Sequence, residues 1–94
     1  PDISEENQRQ ARKRDKLYDM METIQEFIGG RTVSLRALAQ HLSRQRFDLN
    51  DRQVTYKELL RSQSMLGFGA LAVSIRMFPQ MLTLVRDGFY VKQA

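Results

Sequence analysis

Between residues 31 and 61 the chain carries Arg31, Arg36, Arg44, Arg46, Arg52, Lys57 and Arg61 against only Asp48, Asp51 and Glu58. Guanidinium and ammonium groups donate to phosphate and carboxylate oxygens, so this stretch is where an anionic partner would be held. On a helix, at about 100° per residue, Gln53, Lys57 and Arg61 fall on one stripe with Tyr56 beside it and Arg52 next to its start. Arg44 and Arg46 would support that face from the preceding turn. Near the end of the chain, Arg86, Tyr90 and Lys92 would add a second contact. The same spacing occurs on any solvated helix face, and that alternative stays open beside the functional one.

Catalytic chemistry finds no comparable grouping. His41 is the only histidine and cysteine is absent, so neither a thiolate zinc site nor a cysteine nucleophile can form, and one imidazole alone does not hold zinc. His41 reads as a helix-surface residue. Ser34, Ser43, Ser62, Ser64 and Ser74 offer hydroxyls without a nucleophile-elbow glycine pattern or an evident base. Gly67-Phe68-Gly69 lacks the further glycine and the preceding strand of a dinucleotide loop. The expectation is a binding module that is not an enzyme, with no metal, no cofactor and no small-molecule substrate.

The bulk properties agree with that class. A length of 94 residues, with 41% hydrophobic and 28% charged side chains, suits one globular domain. No apolar run approaches the ~18 residues needed to cross a bilayer, so no membrane association is expected. No apolar h-region follows Pro1-Asp2-Ile3, so no secretory signal is read, and the opening proline points to a processed or excised chain. The absence of cysteine points to an intracellular compartment, nuclear or cytoplasmic. A net charge of +4 promises salt-sensitive attraction to polyanions.

The residues named above must be positioned by elements that the apolar pattern reveals. A first helix begins with Ser4 as its cap and Glu5 and Glu6 at the positive end of its dipole. Its apolar stripe starts only at Leu17 and continues through Met21, Ile24 and Ile28, flanked by Met20 and Phe27, until Gly29-Gly30 ends it. Residues 1–16 are thus an exposed basic start and 17–94 a single domain. A short extended stretch, 31–33, follows. Ser34 then caps a second helix with Leu35, Leu38, Ala39 and Leu42 on one side, running to about Arg46. Asn50, with Gln53 bonding back and Leu49 stapling onto Val54, signals a third helix over 51–63. Phe68, Leu71, Ala72, Ile75 and Phe78 trace a fourth, stopped near Pro79. Alternation over 81–85 and 89–92 around Asp87-Gly88 predicts a hairpin with a tight turn, and 31–33 is available as a third strand.

The expected core is Leu17, Met21, Ile24, Ile28, Leu35, Leu38, Leu42, Leu59, Leu71, Ile75, Phe78, Leu84 and Val91, with the methionines as adaptable filler. The fold class is mainly α with a small C-terminal β-hairpin, a winged helix-turn-helix-like arrangement of four helices plus wing. The fourth helix offers only Ser74 and Arg76 as polar side chains, too few donors and acceptors to read base edges in a major groove.

The run Leu66-Gly67-Phe68, Leu71, Ile75, Phe78-Pro79, Leu82, Leu84 and Asp87-Gly88-Phe89-Tyr90-Val91 resembles the second half of a LOTUS (OST-HTH) domain. That resemblance covers roughly the last third of the chain. It implies a winged-helix variant of RNA-regulatory proteins, some of which bind a DEAD-box helicase or structured RNA. The proline before two short strands is also similar to the C-terminal winged helix of replication-licensing factors, which bind the replicative helicase. The chain differs from the former in its long charged first helix and from the latter in lacking a tryptophan after Pro79. Both resemblances imply an adaptor domain with a protein partner, helicase-like, in a nucleic-acid complex. The alternative is direct, largely sequence-independent binding of the DNA or RNA phosphate backbone through the basic helix face and the wing.

Overall fold

A computed structural model of the chain describes residues 3–67 and 69–94. The first helix, α1 (Ile3–Ile28), begins one residue earlier than expected, so Ser4 lies inside it and is not its cap. Glu6 in its first turn pairs with Arg9 at 2.6 Å. From Ser4 to Lys16 the described side chains are exposed apart from the half-buried Glu6 and Lys13, whereas Leu17, Met20, Met21, Ile24 and Ile28 have no solvent exposure. The helix stops at Gly29, whose φ of +57° glycine adopts without the steric cost a Cβ would bring. The Arg31 guanidinium closes the end by donating to the carbonyls of Ile28 and Phe27, at the negative pole of the dipole.

Strand β1 (Val33–Ser34) leads directly into α2 (Leu35–Leu42), capped by the Ser34 hydroxyl, which accepts from the Ala37 N–H at 3.1 Å. This helix ends at Leu42, about four residues short of the expected boundary. The Arg44 and Gln45 N–H groups turn back to the His41 and Leu42 carbonyls, and the chain then enters strand β2 (Phe47–Leu49).

Residues 51–54 do not begin a helix: β2 pairs antiparallel with β3 (Arg52–Val54), joined through Asn50 and Asp51 at φ +50° and +68°. Two consecutive positive φ values are those of a type I′ hairpin turn, which Asn and Asp tolerate. Phe47, Leu49 and Val54 are buried while Asp48 and Gln53 face solvent, the period of two that one buried sheet face demands. Asn50 is therefore a turn residue and not a cap. The cap of α3 (Tyr56–Ser62) is Thr55, in a reciprocal box: its hydroxyl accepts from the Glu58 N–H at 3.1 Å, and the Glu58 carboxylate accepts from the Thr55 N–H at 2.9 Å.

Helix α4 (Ala70–Arg76) ends as expected ahead of Pro79. Phe68, expected at its start, lies outside the described residues. Strands β4 (Leu82–Val85) and β5 (Tyr90–Gln93) form the terminal hairpin, and β1 adds to it in the order β1-β5-β4, with Val33 opposite Val91 and Leu84 opposite Val91 on the other side. Asp87 (+60°) and Gly88 (+84°) have the positive φ expected of the turn, Arg86 (+52°) shares it, and the Gly88 and Phe89 N–H groups bond to Val85 O and Arg86 O. Residues 86–89 form the loop between the paired Val85 and Tyr90, with the expected Asp87-Gly88 at its centre.

Among the described residues the chain is thus mixed α/β, with four helices and two small antiparallel sheets; the four helices and the C-terminal hairpin are as expected, and the β2–β3 hairpin is the addition. One core joins them. Every expected core residue is buried in it except Leu35 and Leu84, which pack at its margin, and it gains Met20, Val33, Phe47, Leu49, Val54, Tyr56, Leu60, Met65, Ala70 and Leu82. Gln25 and Gln93 tie α1 to β5: the Gln93 amide donates to Gln25 O at 3.0 Å, and the Gln25 amide donates to Gln93 Oε1 at 3.1 Å. No helix among the described residues is long and apolar enough to cross a membrane.

Candidate interaction surface

The hairpin redistributes the expected helical stripe. Lys57 and Arg61 remain together on α3, one turn apart and exposed. Gln53 is on β3, where its amide bonds the Asp48 carboxylate across the ladder. Arg52 stands on the same strand, exposed, opposite Leu49. Tyr56, expected beside the stripe as a contact, is 8% exposed and belongs to the core, because the first turn of α3 faces inward once β3 precedes it. Arg44 and Arg46 are exposed in the turn after α2, and the Arg46 guanidinium donates to Gln45 O.

The Thr55 N–H foremost, then the Thr55 hydroxyl, and more weakly the charges of Arg52 and Arg46, hold the Glu58 carboxyl below its ordinary range, with desolvation opposing them. A carboxyl depressed in the folded state stabilises the fold above its unfolded pKa, and that contribution fades as pH falls through the folded value. The stability difference between wild type and Glu58→Gln, measured by urea unfolding, is therefore expected to shrink as pH falls from about 7 to about 3. A difference independent of pH would show that the carboxylate contributes nothing as a cap.

At the β4–β5 hairpin, Arg86 lies over the Tyr90 ring at 4.6 Å. Tyr90 and Lys92 alternate with the buried Val91, so both stand on the outer face of the sheet, Tyr90 half-buried and Lys92 exposed. Phe89 is the outward aromatic of the pair 89–90, at 70% exposed. His41 is not a plain surface residue: it is half-buried and stacks on Phe27 with ring centroids 4.1 Å apart, fastening α2 to α1.

The sequence reading missed a groove between α3 and α4. A hollow of about 510 Å³ is floored by Leu60, Met65, Ala70 and Leu71, with Ala39 of α2 behind and Lys57 and Arg61 at its rim. A second hollow shares Met65, Leu66 and Ala70 and extends to Val73, Met77 and Lys13 of α1. Leu66 stands between the two at 71% exposed, and Val73 is 47% exposed. The available signal was an apolar residue, Leu66, placed in a turn segment where no periodicity demands one. Comparison with protein-family models, curated proteins and solved structures returns no match to this chain.

Proposed function

We propose that the chain is a non-catalytic winged-helix adaptor domain that mediates a protein–protein interaction within a nucleic-acid-handling assembly, nuclear or cytoplasmic. The sheet order β1-β5-β4, with α4 leading into the β4–β5 hairpin as the wing, supports the winged-helix reading. The likeness of residues 66–91 to LOTUS domains supports an RNA-regulatory or helicase-binding setting. One observation carries the choice of a protein partner. Of the two polar side chains on α4, Ser74 is fully buried with its hydroxyl donating to Leu71 O, which leaves Arg76 alone to meet a groove. Base edges are read by paired donors and acceptors, and this helix presents Val73 and Ala72 instead.

The second reading, direct phosphate binding through Arg44, Arg46, Arg52, Lys57 and Arg61 with the wing, is favoured by the exposed Phe89 of the β4–β5 hairpin, a ring on which a base can stack. One experiment separates them. The immobilised chain is expected to retain the same partner proteins from cell extract with and without nuclease, and the triple variant Arg52→Ala, Lys57→Ala, Arg61→Ala to keep the wild-type melting temperature while capturing them more slowly. Loss of all captured protein after nuclease would favour nucleic acid. The triple variant would then bind any sequence more weakly, with a log–log salt slope lower by ~0.7–0.9 for each phosphate contact removed.

A further inference from the structure

We infer that the groove between α3 and α4 is the docking site for an acidic amphipathic helix of the protein partner; this rests on the adaptor reading above and places its contact. The hollow between α3 and α4 adjoins, through the shared Met65, Leu66 and Ala70, the second hollow on the α1 side of α4, and together they make an apolar strip from Leu60 to Val73 and Met77. Along α4 the stretch from Ala70 to Met77 advances about 10 Å, roughly two helical turns, the span over which an amphipathic helix sets residues i, i+3/i+4 and i+7 into a groove. Leu66 and Val73 are the exposed knobs of the strip, at 71% and 47%. Large apolar side chains gathered on one surface and rimmed by charge mark an interaction site.

The charge of the rim selects the occupant. Lys57 and Arg61 stand at one end and Lys13 at the other, and among the described residues no carboxylate lines either hollow. Neither Lys57 nor Arg61 is ion-paired among the described residues; Glu58, their neighbour on α3, is engaged with Thr55. Unpartnered cations around an apolar floor complement Asp and Glu flanking an apolar stripe. A second copy of the chain meeting this face symmetrically would set the same cations against one another, which costs free energy. A nucleic-acid strand could use the cations but leaves Leu66 and Val73 without apolar cover.

The test is a peptide-display selection on the intact chain with random segments of about 16 residues, long enough for four helical turns. The expected clones carry apolar residues at i, i+3/i+4 and i+7 with Asp or Glu on the flanks. They bind the double variant Leu66→Ser, Val73→Ser at least about tenfold more weakly than wild type, as central apolar anchors do. The charge-reversed variant Lys57→Glu, Arg61→Glu loses the same clones. All four positions are exposed, so unchanged melting temperatures certify the fold. Failure to enrich any clone, enrichment of basic or uncharged clones, or equal binding to either variant overturns the assignment. So does self-association of the wild type that Leu66→Ser, Val73→Ser abolishes. If partners survive nuclease treatment and are retained equally by wild type and by Leu66→Ser, Val73→Ser, the adaptor reading stands and only the groove is refuted as its site.

Discussion

Replacing Leu38 with alanine is expected to lower the free energy of unfolding by about 2–5 kcal/mol. Leu38 lies in the middle of α2 with no solvent exposure, in the core shared with α1 and α4. Truncation there removes transfer free energy and leaves a cavity that the surrounding helices fill only in part. A domain of this size has roughly 5–15 kcal/mol in total, so the loss is a large fraction of the whole. Urea unfolding followed by circular dichroism measures it, and Leu84→Ala at the core margin is the control with the smaller loss. A Leu38→Ala variant that unfolds at the wild-type midpoint would mean that the inward face of α2 is misassigned.

Phe47→Ala is expected to cost about 3–5 kcal/mol, because Phe47 is 4% exposed and is the largest side chain that the β2–β3 hairpin sets into the core. This substitution discriminates between two structures of the same segment. With residues 51–63 helical, Phe47 would sit in a connecting turn, and truncating it would change stability little. In the hairpin it stands opposite Val54, itself 1% exposed, and the two share one buried face with Leu49. Asp48→Ala on the opposite face gives the comparison, with a loss within about 0.5 kcal/mol for a surface position. Equal small losses for both variants would refute the hairpin.

That hairpin also marks the line between what the sequence by itself determined and what only the tertiary structure decided. The apolar stripe from Leu17 to Ile28, the stop at Gly29, the Ser34 cap, the end of α4 before Pro79 and the β4–β5 alternation are all written in local chemistry. Periods of 3.6 and 2, positive φ and a missing N–H act over a few residues and need no partner. Residues 47–63 carry two rival start signals, Asn50 with Gln53 and Thr55 with Glu58. Both are acceptable caps, and three-residue strands are too short to show a period. The choice between them falls to the core, which takes Phe47, Leu49 and Val54 together only if the chain reverses at Asn50-Asp51. The candidate site divides the same way. Lys57 and Arg61 share a face under either structure, because four residues on α3 make one turn. The groove beside them was not legible, since Leu60, Met65, Leu66, Val73 and Met77 come from two helices and the segment between them, and their adjacency exists only once α3 and α4 pack on α1 and α2.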